Sequence, residues 1–268
     1  MGHVEWVEFI TVESVPTAGE IVHGSGGLQV PGGGGAVAAV QLQKLAGDVT
    51  FFTALGDDDL GRRAGQELRA MGVEVRAVAR PESQRRAVTL VDADGERTIT
   101  VIGERLAPSG DDDIGWSDLA GFDAVYVTAG DPSALQAARR AGTMVATSRI
   151  LKELQEAKIR LDALVGSAHD RAERYLPRDL VPEPHVVVRT EGSQGGTWQI
   201  PGAAPRRFGP GPQPPQKGDT YGCGDSFAAA LTFCLGRRDS LRTALAFASE
   251  CGAAVSGAIG PYAGQLSL

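Results

Sequence analysis

The residues best equipped for chemistry lie in one run, Asp219-Thr220-Tyr221-Gly222-Cys223-Gly224-Asp225-Ser226-Phe227. Two glycines and an acid open a segment in which Phe227, Leu231 and Cys234 recur on one helical face, with Gly236 at its end. Gly222 and Gly224 let successive backbone N–H groups converge at a helix N-terminus. There the orphan donors and the helix dipole favour an anion, such as a phosphate or a developing phosphoryl transition state. Asp225 falls in the same turn. It is either a base that takes a proton from an attacking hydroxyl or an N-terminal acid matched to the dipole. The local pattern leaves both open.

The segments around this run alternate in period. Helical spacing over Ala36–Leu45 is followed by the β-branched and aromatic run Val49–Leu55, then by Leu60, Ala64, Leu68 and Met71 on one helical face. Strands are expected at 123–128, 143–147, 163–165 and 185–189, with helices at 133–141, near 150–157 and from Ser240 onward through Val255. Strands alternating with helices predict a mainly parallel central sheet covered on both faces, a three-layer αβα sandwich. Two segments break the rhythm. Residues 20–30 are glycine-rich and short-stranded, and 86–102 read as a hairpin turning at Asp92-Ala93-Asp94-Gly95. We expect residues 12–30 and 86–104 to form a small β lid on a core made of 1–11, 31–85 and 105–268. Phe208–Pro215 is a Pro/Gly connector. The acidic run Asp111-Asp112-Asp113 reads as a solvated loop.

Composition narrows the function. The 268 residues are 42% hydrophobic, enough for a core, and the net charge of −7 argues against a nucleic-acid binder. No apolar stretch approaches the roughly 20 residues that span a bilayer, and the N-terminus lacks the basic and apolar regions of a signal peptide. Three cysteines, Cys223, Cys234 and Cys251, suit neither a disulfide framework nor a zinc site, so a cytoplasmic protein is expected. No Walker-type phosphate loop with its lysine occurs.

The 219–227 run resembles the second signature of the ribokinase-like (PfkB) carbohydrate kinases, D-T-x-G-x-G-D-x-F, at every fixed position. Gly32-Gly33-Gly34-Gly35-Ala36-Val37-Ala38-Ala39 resembles the first signature, Pro16–Glu20 the P-x-x-G-E stretch before it, and Thr190–Gly195 the family's T-x-G-x-x-G nucleotide turn. The resemblance implies ATP-dependent phosphorylation of a hydroxyl on a sugar or nucleoside-like small molecule, with Mg²⁺ screening the phosphates. It makes Asp225 the base and gives the main chain of Gly222, Cys223 and Gly224 the anion hole. Gly32 and Gly33 would meet the acceptor, with Glu5 the candidate for the early acceptor-binding acid. Thr190, Gly192, Gly195, Ser249 and Gly252 would border the nucleotide. Asp219 and the Tyr221 carbonyl would lie where members hold a monovalent cation such as K⁺. Asp170 would serve the metal in a departing version of the N-x-x-E motif, Ser167-Ala168-His169-Asp170.

Two other departures stand out. Val37 replaces a polar asparagine, which argues against ribose as acceptor, and the chain starts where members usually have an apolar strand, so the first central strand is expected to be missing. A catalytically impaired small-molecule binder is one alternative. A Rossmann oxidoreductase, from Gly33-x-Gly35-x-x-Ala38 and Asp57, is another. Lid strands pairing at their edges predict a homodimer.

Overall fold

The computed structural model describes residues 1–268. Its order is β1 (Glu5–Thr11), β2 (Ser25–Gly32), α1 (Gly33–Ala46), β3 (Thr50–Gly56), α2 (Asp59–Ala70), β4 (Glu74–Arg80), β5 (Arg86–Val91), β6 (Arg97–Ile102), β7 (Ala124–Val127), α3 (Pro132–Ala138), β8 (Thr143–Thr147), α4 (Leu151–Ala157), β9 (Ala163–Ser167), β10 (Val186–Thr190), β11 (Gly196–Gln199), β12 (Arg206–Phe208), α5 (Cys223–Gly236) and α6 (Leu241–Val255). Strands β7, β8, β9 and β10 are parallel neighbours, and β11 and β12 extend that sheet antiparallel. Their side chains alternate between two cores. Val125, Val127, Met144 and Ala146 face α3 and α4, whereas Tyr126 and Val145 face α5 and α6. This period-2 division is what a sheet covered on both faces requires, and the fold is the expected αβα sandwich.

The strand expected to be missing has a short substitute. Strands β3 and β4 form a separate parallel pair, and the first residues of the chain lie between that pair and β7. Gly2 donates its N–H to Phe52 O, Thr128 N–H donates to Met1 O, and Thr53 Oγ1 donates to Gly2 O. The backbone of residues 1–2 therefore carries hydrogen bonds on both sides, as a central strand would.

Strands β2, β1, β5 and β6, in that order, make a four-stranded sheet. The expected hairpin is present, with Asp92–Glu96 at its turn. Residues 5–11, grouped above with the core, instead pair parallel with β5 and antiparallel with β2. β2 also removes the dinucleotide reading. The strand entering the glycine-rich turn is antiparallel to β1 in this smaller sheet, not a central parallel strand as that motif demands. β4 had not been expected at all. Its alternation ends in arginines paired outward, Arg76 with Asp118 at 2.7 Å and Arg80 with Asp112 at 2.6 Å, so one member of the acidic run is an ion-pair partner.

Candidate active site

The site forms where α5 begins. Gly222 sits at φ 85°, a left-handed conformation that turns the chain into the helix. The first α-helical bond of this end runs from Ser226 N–H to Gly222 O at 2.9 Å and the Cys223 N–H turns back to Thr220 O at 3.4 Å, which leaves the Gly222 and Gly224 amides at the helix mouth. Gly224 is exposed, and a Cβ on it would meet nothing within 4 Å, so the mouth opens outward. The Cys223 thiol is pushed up to about 11 by burial, which keeps it neutral and unreactive at physiological pH.

The loop before the helix is held by Asp219, which is fully buried. Its Oδ1 accepts the Tyr221 N–H at 2.7 Å and its Oδ2 accepts the Gly260 N–H at 2.6 Å, tying this loop to the one after α6. The Tyr221 side chain reaches the other way. Its hydroxyl accepts the Gly33 N–H at 2.9 Å, and its ring packs edge-on against Phe9. The four-stranded sheet comes down on the same loop: Arg97 donates to Thr220 Oγ1, and a Cβ on Gly95 at the hairpin tip would lie 2.5 Å from Gly218 O. Val37 is fully buried in the apolar cluster with Val7, Phe9 and Tyr221. A Cβ on Gly222 would stand 3.0 Å from its Cγ1.

Asp225 lies in the first turn of α5, facing the glycine-rich turn of α1. Its carboxyl is raised to about 6, first by burial and then by the neighbouring Glu173 carboxylate, while Arg149 and Arg97 act in the opposite direction. Glu5 joins the same neighbourhood. Its Cγ is 3.2 Å from where a Gly33 Cβ would stand, and its Oε1 pairs with Arg85 Nε at 2.8 Å. Gly32 and Gly33 are tightly enclosed, by Val7 and Tyr221 on one and by His3 and Glu5 on the other. The closest groups to these two glycines are therefore the protein's own side chains.

The remaining expected residues take definite places. Thr190, Gly192 and Gly195 form the turn from β10 into β11, with Glu191 N–H donating to Gly195 O. Gly195 abuts Gly209 and Pro210 of the Pro/Gly connector. Ser249 Oγ donates to Gly209 O at 3.1 Å and also to Leu245 O at 2.9 Å. Gly252 allows α6 to approach α5, since a Cβ there would be 3.0 Å from Cys223 O. These residues thus form one band running from the β10–β11 turn to the mouth of α5. Asp170, expected beside a metal, accepts from Arg149 at 2.5 Å and from the Ala172 N–H at 2.9 Å. Glu173 pairs with the same arginine at 2.7 Å and accepts the Ser167 N–H. No group of three or more His, Cys, Asp or Glu side chains is arranged to hold an ion.

Sequence reasoning missed Arg85, Arg105, Arg149, Glu173 and His3. Arg85 and Arg105 did carry a signal, since they flank the hairpin at its two ends. His3 is buried, and its imidazole is lowered to about 3 by desolvation and by Arg105, Arg85 and Arg149. It is neutral, so its 3.8 Å approach to Glu5 is not an ion pair.

A parallel αβα sandwich, a smaller sheet whose hairpin meets the loop before α5 and an acid at a glycine-opened helix mouth define a ribokinase-like sugar kinase. The chain belongs to the pfkB family of carbohydrate kinases, which it matches over residues 2–178 and 160–267. It is 28% identical to an ATP-dependent ribose-1-phosphate kinase of Halopiger xanaduensis, over 96% of this chain and 90% of the relative. It is 30% identical to a fructokinase of Klebsiella pneumoniae, over 87% of this chain and 88% of that one. Among solved structures, the Arabidopsis thaliana ribokinase complexed with ribose and ATP superposes with a TM-score of 0.74 at 20% identity, over 99% of this chain and 94% of that one. The protein is a phosphotransferase acting on a sugar hydroxyl. No helix is long and apolar enough to cross a membrane.

Proposed function

We propose that the protein transfers the γ-phosphoryl group of ATP to a hydroxyl of a sugar or sugar-like molecule, with Asp225 as the base. The observation that carries this reading is the setting of Asp225: a carboxyl raised to about 6, at a helix mouth, between two glycine-rich turns. A base near 6 is ionised at neutral pH and still basic enough to take a hydroxyl proton as the bond forms. The acceptor oxygen attacks the γ-phosphorus, and its proton passes to an Asp225 carboxylate oxygen. The bond from that phosphorus to the β,γ-bridging oxygen breaks, and ADP leaves with the electron pair. The amides of Gly222 and Gly224, joined by that of Cys223 once it gives up its long bond to Thr220 O, stabilise the charge that spreads over the phosphoryl oxygens.

The band from Thr190 through Gly192, Gly195 and Ser249 to Gly252 is the nucleotide side. Gly32, Gly33 and Glu5 border the acceptor side. Mg²⁺ accompanies the nucleotide and neutralises phosphate charge. Asp170 and Glu173, the nearest candidates to hold it, are both paired with Arg149, so the ion would arrive with the nucleotide and screen its phosphate charge. A monovalent cation at Asp219 would have to share oxygens that already accept two N–H groups. The four-stranded sheet acts as a lid that excludes water. Its outer strand β6 is exposed along its length, with Ile99 and Val101 about 40% accessible, and a second copy covers it in a cytoplasmic homodimer.

A coupled ADP-release measurement over ribose, fructose, nucleosides and their phosphates tests the reaction. Acceptor-dependent ADP release that falls sharply in Asp225→Asn is the expected result. No release with any acceptor would favour a binding protein that has lost turnover, and undiminished release in the variant would remove Asp225 as base.

A further inference from the structure

The segment after α6 returns across α1 as a strap. The Tyr262 hydroxyl donates to Pro31 O, Lys44 Nζ donates to Tyr262 O at 2.5 Å, Gln41 Nε2 donates to Leu266 O at 2.8 Å, and the Leu268 N–H donates to Lys44 O. One side chain of this strap reaches past α1. Gln265 Nε2 donates to Val37 O at 3.0 Å, in the second turn of α1, and to Ser226 Oγ at 3.2 Å, in the first turn of α5. Ser226 follows Asp225 in the chain, and Val37 lies one turn beyond Gly34. The bridge therefore stands beside the place where the Gly34 backbone and the Asp225 carboxyl meet.

The rest of this junction is made of small groups. Ala38 of α1 shares an apolar cluster with Ala228, Ala229 and Ala230 of α5, and the Val37 side chain lies against Gly222. Apolar burial is non-directional, so alanines and glycines hold two helices close without fixing how far one slides along the other. A primary amide does fix it, because its two N–H groups point in set directions.

Gln265 is poorly suited to stability alone. It is only 7% exposed, and its Oε1 is buried without a hydrogen-bond partner. A buried acceptor left unpaired costs free energy that an apolar side chain of the same shape avoids. Neither group it donates to depends on it. Val37 O lies inside the α1 ladder, and the Ser226 hydroxyl can turn to the carbonyl one turn back, as Thr232 does to Ala228 O at 2.7 Å. What Gln265 alone supplies is the link between the two turns.

We propose that Gln265 is a positioning residue of the reaction: its amide joins the start of α1 to the start of α5 and so sets where the Asp225 carboxyl stands against the glycine-rich turn. The inference rests on the reading of Asp225 as the base. The carboxyl it steadies faces Glu173, Arg149, Arg97 and Glu5, and its charge acts in turn on the buried phenols of Tyr126, Tyr221 and Tyr262. Gln265 is uncharged and its amide bonds to none of those side chains, so replacing it moves the carboxyl and leaves the surrounding charges in place.

The test compares Gln265→Met with Gln41→Met. Both glutamines are buried, both tie the strap to α1 and both leave Oε1 unpaired, but only Gln265 reaches α5. Kinetics are measured with ATP and the fastest acceptor among ribose, fructose, nucleosides and their phosphates. Gln265→Met should lose about tenfold in kcat, part of the roughly 100-fold that a 1 Å displacement costs, with both KM values within about twofold of the parent. Its melting temperature should stay within about 3 °C. The acid limb of its pH profile should move down from about 6 by about half a pH unit or more, as the freed carboxyl reaches water. Gln41→Met should keep the parental kcat and limb. Ser226→Ala cuts the same bridge at its other end and carries the test should Gln265→Met not fold. It should show the same fall, and adding Gln265→Met to it should add little. Parental kcat and limb in Gln265→Met or in Ser226→Ala, equal losses in the two methionine variants, or additive losses in the double variant would each overturn the inference, and an inactive Asp225→Asn would leave the base reading standing. Undiminished turnover in Asp225→Asn, or no turnover with any acceptor, would remove that reading and the inference with it.

Discussion

A Cβ built on Gly34 would stand 2.7 Å from Asp225 Oδ1. The first turn of α1 and the first turn of α5 therefore meet where only a hydrogen atom fits. Gly34→Ala would push the carboxylate off its position without removing it. A displacement of about 1 Å at a reacting group costs roughly 100-fold in rate. We expect kcat to fall by about that factor, with KM for ATP nearly unchanged. Parallel kinetics on Asp225→Asn set the floor, and a Gly34→Ala enzyme with parental kcat would show that the carboxylate has room to move.

The raised carboxyl of Asp225 predicts a pH profile. With the group at about 6, the base is protonated below that value, so kcat/KM should rise tenfold per pH unit on the acid side and level off above about pH 6–7. Profiles from pH 4.5 to 8.5 in constant ionic strength check this. A limb centred near 4 would mean that the site does not desolvate the acid.

The same shift has a thermodynamic consequence of opposite sign to the catalytic one. The unfolded value is 3.8 and the native one about 6. The native state thus holds a proton that the unfolded state has released between these limits, and stability falls as pH rises from about 4 to 6. Above pH 6 the ionised acid costs about 2–3 kcal/mol. Asp225→Asn should remove that cost, raising the melting temperature by roughly 5 °C at pH 7.5, with the gain fading below pH 4. Catalysis and stability would then be opposed at one side chain, as a desolvated functional acid requires. Melting curves of the two proteins at pH 4 and pH 7.5 decide it.

Much of this centre was legible because it is local. The 219–227 run carries its own turn, helix mouth and acid in nine consecutive residues, and the 86–102 hairpin announces itself through Asp-Gly between alternating β-formers. What was hidden depends on contacts distant in sequence. Nothing near Arg85 or Arg105 states that the two will crowd each other and the buried His3. Nothing near Ser167–Asp170 states that Arg149 will take up Asp170 and Glu173 together. β1 was missed because Glu5 and Glu8 interrupt its apolar pattern. Glu5 turns inward to meet Arg85, and Glu8 lies half-buried within reach of Gln29. The central position filled by Met1 and Gly2 is too short to show any period at all.

Asp219 should matter more for folding than for chemistry. Each of its two bonds to backbone N–H groups is charge-assisted and buried, worth about 1.5–3 kcal/mol, and no water can replace them at a fully enclosed site. Asp219→Ala is expected to cost about 3–5 kcal/mol. Asp219→Asn should cost nearly as much, because its amide nitrogen would face one N–H donor with another. Urea unfolding followed by tryptophan fluorescence measures both. A loss below about 1 kcal/mol would show that the loops at 219 and 260 hold together by packing alone.

Tyr221→Phe separates the support of the site from its action. The phenol accepts the Gly33 N–H in a buried setting, and its ring is already held by Phe9 and Val37. Removing the oxygen leaves that N–H unsatisfied, a cost of about 1–3 kcal/mol, while the ring keeps its packing. Stability should therefore fall by that amount. The rate constant for turnover should stay within about tenfold of the parent, because the phenol oxygen holds the glycine-rich turn and neither the base nor the α5 amides bond to it. The acceptor KM is the sensitive reading: it rises if the N–H must be held in place to shape the pocket. A fall in kcat as deep as that of Asp225→Asn, at unchanged stability, would instead make the phenol a participant in the proton transfer.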